Sequence, residues 1–308
     1  MASAGPQRLA VRTEWLIKRF GRETALNGID LAVPEGGVYL LAGTNGAGKS
    51  TLLRTLLNVE RPDHGSATVL GLDTRTNGPA VRARTGYVPE TGEGVYRWMC
   101  VDRFLAHQAG YYPGWDADYA AKLVRLLDLR TRSRLGALSK GQARRVQIVA
   151  ALAHRPQLLL LDELTDGLDP LVREEVLALL ATHLADTGCT AILSTHLVAE
   201  VETLVDRIGV LRAGRLVAQA PAEQLLARLQ RYHLDAADGW SAPADLAAMV
   251  VRREAGLGKA ARLIAAGAES AVRGAIAASG AQVREVSRLS LAEAVPMLLQ
   301  SEKFHDFA

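Results

Sequence analysis

Apolar residues follow three rhythms along this chain. From Arg8 to Gly43 they come in short runs broken by Gly and Pro, which predicts strands, the last being "GVYLLAG". Leucines then take helical spacing in "GKSTLLRTLLNV". Between residues 100 and 155 the helical rhythm dominates, in "VDRFLAHQAG", "DYAAKLVRLLDL" and "GQARRVQIVAALAH". Next come a strand "QLLLLD", a helix "PLVREEVLALLATHLA", a strand "TAILST", a helix "LVAEVETLVD" and a strand "RIGVLRAG". Alternation of this kind predicts a mainly parallel sheet covered by helices. After about Gln224 the texture changes. "RYHLDA", "AMVVRRE", "ARLIAAG" and "AQVREVSR" read as strands, and "AESAVRGAIAASG" and "SLAEAVPMLLQ" as helices. The expected fold class is α/β. It has a mainly parallel core, an N-terminal antiparallel part, a helical insertion at about 91–155 and a small C-terminal α+β domain. The expected domains are 8–225 and 226–308.

Composition narrows this picture only slightly. The 308 residues are 49% hydrophobic and 22% charged, as in a globular chain with room for one large and one smaller domain. The net charge of +3 gives no footing for nucleic acid, and none is expected as a partner. Cys100 and Cys189 lack metal-type spacing and read as reduced thiols. The opening "MASAGPQRLAVR" has no apolar leader segment. No apolar run reaches the roughly 18 residues a membrane span needs, so a membrane role is expected to pass through another protein.

Chemistry enters with "GTNGAGKS", Gly43 to Ser50, which fits G-x-x-x-x-G-K-S between a strand and a helix. Gly43, Thr44, Asn45, Gly46, Ala47 and Gly48 are expected to wrap nucleotide phosphates with backbone N–H groups, with Ser50 and Thr51 at the helix start. Lys49 is expected to reach the β- and γ-phosphates, and Ser50 to ligate Mg²⁺. The second half of such a site is "LLLLDELTDGLDP", four leucines followed by Asp162, Glu163, Asp166 and Asp169. A buried strand brings Asp162 to its C-terminal end, where it can hold Mg²⁺ through oxygen. Glu163 beside it can accept the proton of an attacking water. The crowded acids are expected to be tolerated partly because a metal ion faces them.

These features fit any phosphate-loop NTPase. "LSKGQARR", Leu138 to Arg145, lies between the two halves. With it the chain resembles the ATP-binding subunits of ABC transporters over roughly residues 8 to 225. The resemblance implies that two copies sandwich two ATP molecules head to tail. Each site then takes Ser139, Lys140, Gly141 and Gln142 from the other copy. Phe20 falls where the family stacks an aromatic ring on adenine. Glu90, in "YVPE", takes the place of the family's glutamine and is assigned to Mg²⁺. Asp169, in "DGLD", is expected to meet the second copy, and His196, in "STH", the γ-phosphate. His154 has no such context and reads as structural.

The resemblance also implies a membrane-spanning partner subunit, a homodimer or heterodimer of ATP-binding subunits, and a place on the cytoplasmic face of the membrane. "YYPGWD" and the tail "VSRLSLAEAVPMLL" are similar to a bacterial branch that exports antibiotics and peptides. The other reading, an ATPase serving nucleic acid or ribosomes, usually needs two cassettes or a long coiled coil, and neither pattern is present. Four residues depart from the family pattern: Thr44, Glu90, Lys140 and Leu164. Leu164 stands where proline is usual and is expected to loosen its turn. Glu90 and Lys140 either compensate across the closed dimer, or act as an extra oxygen ligand and a solvent-facing lysine.

Overall fold

The computed structural model describes residues 8–91, 96–237, 240–254 and 260–300. Outside the described residues lie 1–7, where no apolar leader was read, 92–95 of the expected helical insertion, and 238–239, 255–259 and 301–308 of the expected C-terminal domain. The chain packs as two units: one takes residues up to His196 plus Leu211–Leu216, the other Leu197–Val210 and Val217 onward.

In the first unit, β1 (Leu9–Phe20), β2 (Glu23–Ile29) and β3 (Ala32–Pro34) make the expected antiparallel part. After β4 (Gly37–Gly43) and α1 (Lys49–Leu56), β5 (His64–Val69) and β6 (Leu72–Asp73) join the same sheet. Next come α2 (Gly78–Ala83) and β7 (Thr85–Val88), followed by α3 (Val101–Ala109), α4 (Ala117–Leu126) and α5 (Lys140–Leu152), which are the helical insertion. "YYPGWD" breaks the helix, and its Asp116 caps α4 by accepting from the Tyr119 N–H at 2.8 Å.

β8 (Leu158–Asp162), α6 (Pro170–Thr187) and β9 (Thr190–Thr195) complete the parallel layer, in which β7, β8, β9 and β4 are neighbours in that order. Every residue of β8 and β9 is buried. Helices cover both faces of such a sheet, so its strands read as unbroken apolar runs and show no alternation. Register then fixes the ends: Asp162 lies opposite Ser194, and Ala42 opposite Thr195. Three neighbouring strands thus stop together at one edge.

β10 (Arg207–Arg212) and β11 (Arg215–Pro221) follow, then α7 (Ala222–Arg228), β12 (Leu229–Asp235), α8 (Ala244–Met249), β13 (Val250–Glu254), β14 (Ala260–Ala266), α9 (Glu269–Ala278), β15 (Gln282–Arg288) and α10 (Leu291–Gln300). The second unit holds an antiparallel sheet in the order β13-β14-β12-β15, with Tyr232, Leu234, Leu263, Val272 and Ile276 in its core.

Two expected elements differ. "LVAEVETLVD" forms two short 3₁₀ turns, Val198–Glu200 and Glu202–Leu204, in place of one helix. Val198, Val201, Thr203 and Val205 are β-branched and weaken a segment too short to nucleate a helix. "AMVVRRE" is a strand only from Val250, because its first residues end α8.

Among the described residues no helix is long and apolar enough to cross a membrane. Both cysteines are unpaired, and burial pushes the Cys189 thiol up to about 12, which leaves it inert.

Candidate functional site

The loop from Gly43 to Gly48 joins a buried strand to a helix whose first turn carries neither a side-chain cap nor an acid. Its N-terminal N–H groups therefore remain available to an anion. Glycine is required at two places. Gly48 has φ +105°, and a Cβ there would sit 2.4 Å from the Ala25 carbonyl oxygen; one at Gly43 would sit 2.5 Å from that of Leu211. Thr44, Asn45 and Gly46 are exposed along the loop, while Ala47 is buried.

Phe20, Asn45, Gly46, Gly48, Lys49, Ser50, Thr51, Glu90 and Glu163 line one cleft. Phe20 is 46% exposed at the cleft, with the Lys18 ammonium 4.8 Å above its ring; it is not part of the core.

Lys49 and Glu163 form an ion pair at 3.1 Å, each side chain 6% exposed. The lysine ammonium also donates to the Gly43 carbonyl at 2.9 Å and to that of Thr44 at 3.3 Å. The second oxygen of Glu163 accepts from Thr195 Oγ1 at 3.1 Å and lies 3.0 Å from His196 Nδ1. Asp162 is fully buried. Its Oδ1 accepts from the Ser194 hydroxyl at 2.8 Å, and its Oδ2 has no hydrogen-bond partner. A buried carboxylate oxygen left unmatched is costly unless a cation or water completes it. It is the position from which a divalent ion could be held.

Glu163 itself has φ +47°, the left-handed region that a non-glycine residue rarely enters. Its N–H donates to the Ser194 carbonyl at 2.8 Å, and its carbonyl accepts from the Asp166 N–H at 3.1 Å. Leu164, standing where proline is usual, has its side chain buried.

The remaining predicted residues lie away from the cleft. Ser139 caps α5 in a reciprocal capping box with Gln142, and Gly141 sits in the first turn. Lys140, its side chain 56% exposed, pairs with Asp166 of its own chain at 2.8 Å. That ammonium holds the Asp166 carboxyl below its usual range. Asp169 caps α6 by accepting from the Val172 N–H at 3.1 Å. His154 is buried and stacks on Tyr112 with centroids 3.9 Å apart, in the structural role expected.

Arg144 was missed by the sequence reading. It is 3% exposed, on the apolar stripe of α5 with Ile148 and Leu152. Its guanidinium donates to the carbonyls of Pro89, Glu90 (2.8 Å) and Glu163 (3.3 Å). Burial lowers its affinity for the proton, while Asp166, Asp162, Glu90 and Glu163 act in the opposite direction. An arginine keeps its charge under such conditions. The crowded acids therefore face a protein cation as well as any metal. The available signal was the helical period, which puts residue 144 one turn before Ile148 on the buried face.

The profile of the ABC transporter family matches residues 26–166. The chain is 32% identical over 232 residues to the bacitracin transport ATP-binding protein BcrA of Enterococcus faecalis, covering 74% of this chain and 75% of that one. It is 37% identical over 226 residues to the daunorubicin/doxorubicin resistance ATP-binding protein DrrA of Streptomyces peucetius, covering 71% and 68%. It is also 36% identical over 226 residues to the methionine import ATP-binding protein MetN of Mesorhizobium japonicum, covering 70% and 62%. Among solved structures, an ATP-binding subunit of an ABC transporter superposes with a TM-score of 0.64 at 28% identity, over 71% of this chain and 92% of that one.

Proposed function

Because the chain belongs to the ABC transporter ATP-binding family and is an ATP-binding and hydrolysing subunit, we propose that the cleft between Phe20 and Glu163 is its hydrolytic site. The observation that carries this reading is the Lys49–Glu163–His196 chain of contacts beside an uncapped helix start. The family profile at 26–166, together with a separate core on the β12–β15 sheet from Leu229 on, supports an ATP-binding domain at 8–225 and a separate one at 226–308.

Without nucleotide, Lys49 neutralises Glu163. The phosphates of ATP, lying on the N–H groups of residues 43–51, draw Lys49 away and leave Glu163 free as a base. Glu163 takes the proton of a water whose oxygen attacks the γ-phosphorus. The bond between that phosphorus and the β–γ bridging oxygen breaks, and ADP leaves with the electron pair. Thr195 and His196 hold the carboxylate in place meanwhile. Phe20 offers its exposed ring to the adenine.

Asp162 through Oδ2 and the Ser50 hydroxyl fit Mg²⁺, with Glu90 on the same cleft as a further oxygen donor. Such an ion supplies charge neutralisation at the β- and γ-phosphates. Magnesium takes one or two carboxylates plus substrate phosphate, a set that Asp162 and Glu90 could supply.

Ser139, Lys140, Gly141 and Gln142 are absent from the lining of their own chain's cleft; Gly141 is half-buried, while the other three and Asp169 are exposed. This arrangement supports ATP sandwiched by two copies, each giving these residues to the other's site. Closure and reopening then drive a membrane-spanning partner from its cytoplasmic side. Trp98 and Tyr111 are 66% and 65% exposed, while Tyr96 packs on Phe104 at 5.9 Å. The 91–115 segment thus has rings both for its own packing and for a partner. Export is the direction supported by the Nod factor export ATP-binding protein I of Burkholderia lata, 34% identical over 215 residues; MetN is a reminder that the cassette alone does not fix it.

The test is Glu163→Gln. Turnover is expected to fall by roughly 10² to 10⁴, with ATP retained and dimers accumulating in size-exclusion runs. Hydrolysis at the parental rate would remove Glu163 from the role of base.

A further inference from the structure

Arg144 joins three parts of the chain through one planar group: α5, the Pro89–Glu90 segment and the end of β8. We infer that Arg144 is a positioning residue for hydrolysis, holding Glu163 through its main chain and linking it to α5 and to Glu90. The inference rests on the reading of Glu163 as the base.

Three observations support it. First, Glu163 occupies the left-handed region, and such a conformation persists only where its surroundings impose it. The Ser194 carbonyl, the Asp166 N–H and the Arg144 guanidinium are the groups that grip its backbone. Second, α5 holds the 163–169 loop twice from one face, since Lys140 and Arg144 are one turn apart and bind Asp166 and Glu163. Third, the acceptors point in different directions. A guanidinium spreads its donors over separate nitrogens in a rigid planar fork, one reaching Pro89 and the other Glu90 and Glu163, whereas a lysine ammonium gathers its three donors on a single nitrogen and cannot span the same positions.

The consequence is a mechanical one. The start of α5 is the part offered to a second copy, and Glu90 precedes the segment offered to a membrane partner. Displacement of either reaches the main chain of Glu163 through Arg144. A shift of about 1 Å at a reacting group costs on the order of 100-fold in rate.

The experiment uses the full chain with Arg144→Lys and Arg144→Met. ATP affinity is measured with a fluorescent ATP analogue, and kcat is expressed per nucleotide-binding site, so that any unfolded fraction drops out. Affinity is expected to stay within about threefold of the parent, because Arg144 does not line the cleft. The kcat per site is expected to fall about 10- to 100-fold in both variants, less in Arg144→Lys. A purely structural role instead predicts loss of sites with kcat per site unchanged, and that result for Arg144→Lys overturns the inference. If Arg144→Met does not fold, Arg144→Lys decides alone, since it keeps the buried charge. Should Glu163→Gln prove active, the base assignment fails first. Should Glu163→Gln be inactive while Arg144→Lys keeps full kcat per site, only the positioning role fails.

Discussion

Two sheets in this chain treat charge in opposite ways. At the ends of β4, β8 and β9, Lys49, Asp162, Glu163 and Arg144 are all nearly or fully buried and answer one another's charge. On the β12–β15 sheet and the helices that follow it, Arg231 bridges Glu254 and Glu293 of α10, Arg284 meets Asp235, and Arg273 meets Glu269 within α9, mostly at the water-facing surface. The strands differ to match: β8 is buried throughout, whereas β12 alternates buried and half-buried positions. A parallel layer between helices gives charge nowhere to go but its rim, and there it must be paired or used. An antiparallel sheet with a wet face can carry ion pairs almost anywhere at little cost or gain.

The comparison is broken most severely at Lys49. Lys49→Ala leaves Glu163 buried without its cation, and losing one partner of a buried pair costs about 3–5 kcal/mol. Denaturant unfolding of the nucleotide-free chain measures it, and adding Glu163→Gln should recover much of the loss. ATP affinity should fall as well, and a titration with unchanged affinity would count against the phosphate-loop assignment.

Acid should come next. Burial holds His154 and His183 below the ordinary 6.5, so both stay neutral in the folded chain. The unfolded chain takes up those protons first. Stability is therefore full above about pH 6.5 and declines as pH falls below it, by up to about 1.4 kcal/mol per pH unit for each histidine. Both residues lie in the first unit. In the second, the Ser290 N–H and Arg231 keep Glu293 below its ordinary 4.5, so its contribution is full above that value and lost only at lower pH. Hydrogen exchange between pH 7 and 5 should show the first unit weakening and the second holding.

A smaller effect is expected at Lys140, an exposed residue of the first unit. Its pair with Asp166 is about half exposed, so a cycle of Lys140→Gly and Asp166→Asn should return about 0.2–1 kcal/mol in unfolding. The same cycle with Glu90→Gln, read on dimer closure, separates compensation across the dimer from independence; a coupling near zero rules compensation out.

The smallest change belongs to the second unit. Arg273→Ala removes an i,i+4 pair with Glu269, both side chains nearly half exposed. It should cost only about 0.3–0.5 kcal/mol and leave turnover unchanged. A loss of hydrolysis would mean that the second unit is coupled to the cleft.

Much of this was legible in advance. The phosphate loop, the strand behind Asp162 and the helices from 101 to 187 show plainly in the spacing of apolar residues. The 3₁₀ turns at 198–204 were not, because valines placed at helical intervals look periodic while their branching opposes the helix. Nor was Arg144, which local pattern alone reads as one more charge in a helix after a capping box.

The sequence by itself determined which residues could do phosphate chemistry, since glycines, a lysine and two acids at fixed spacing are local facts. Tertiary structure decided what each of them faces. Parallel register set Asp162 against Ser194, packing of α5 brought Arg144 under Glu163, and the turn after β8 placed Asp166 within reach of Lys140. Those pairings join residues 19 to 32 positions apart. No short window of sequence contains both partners, so only the folded chain can assign them.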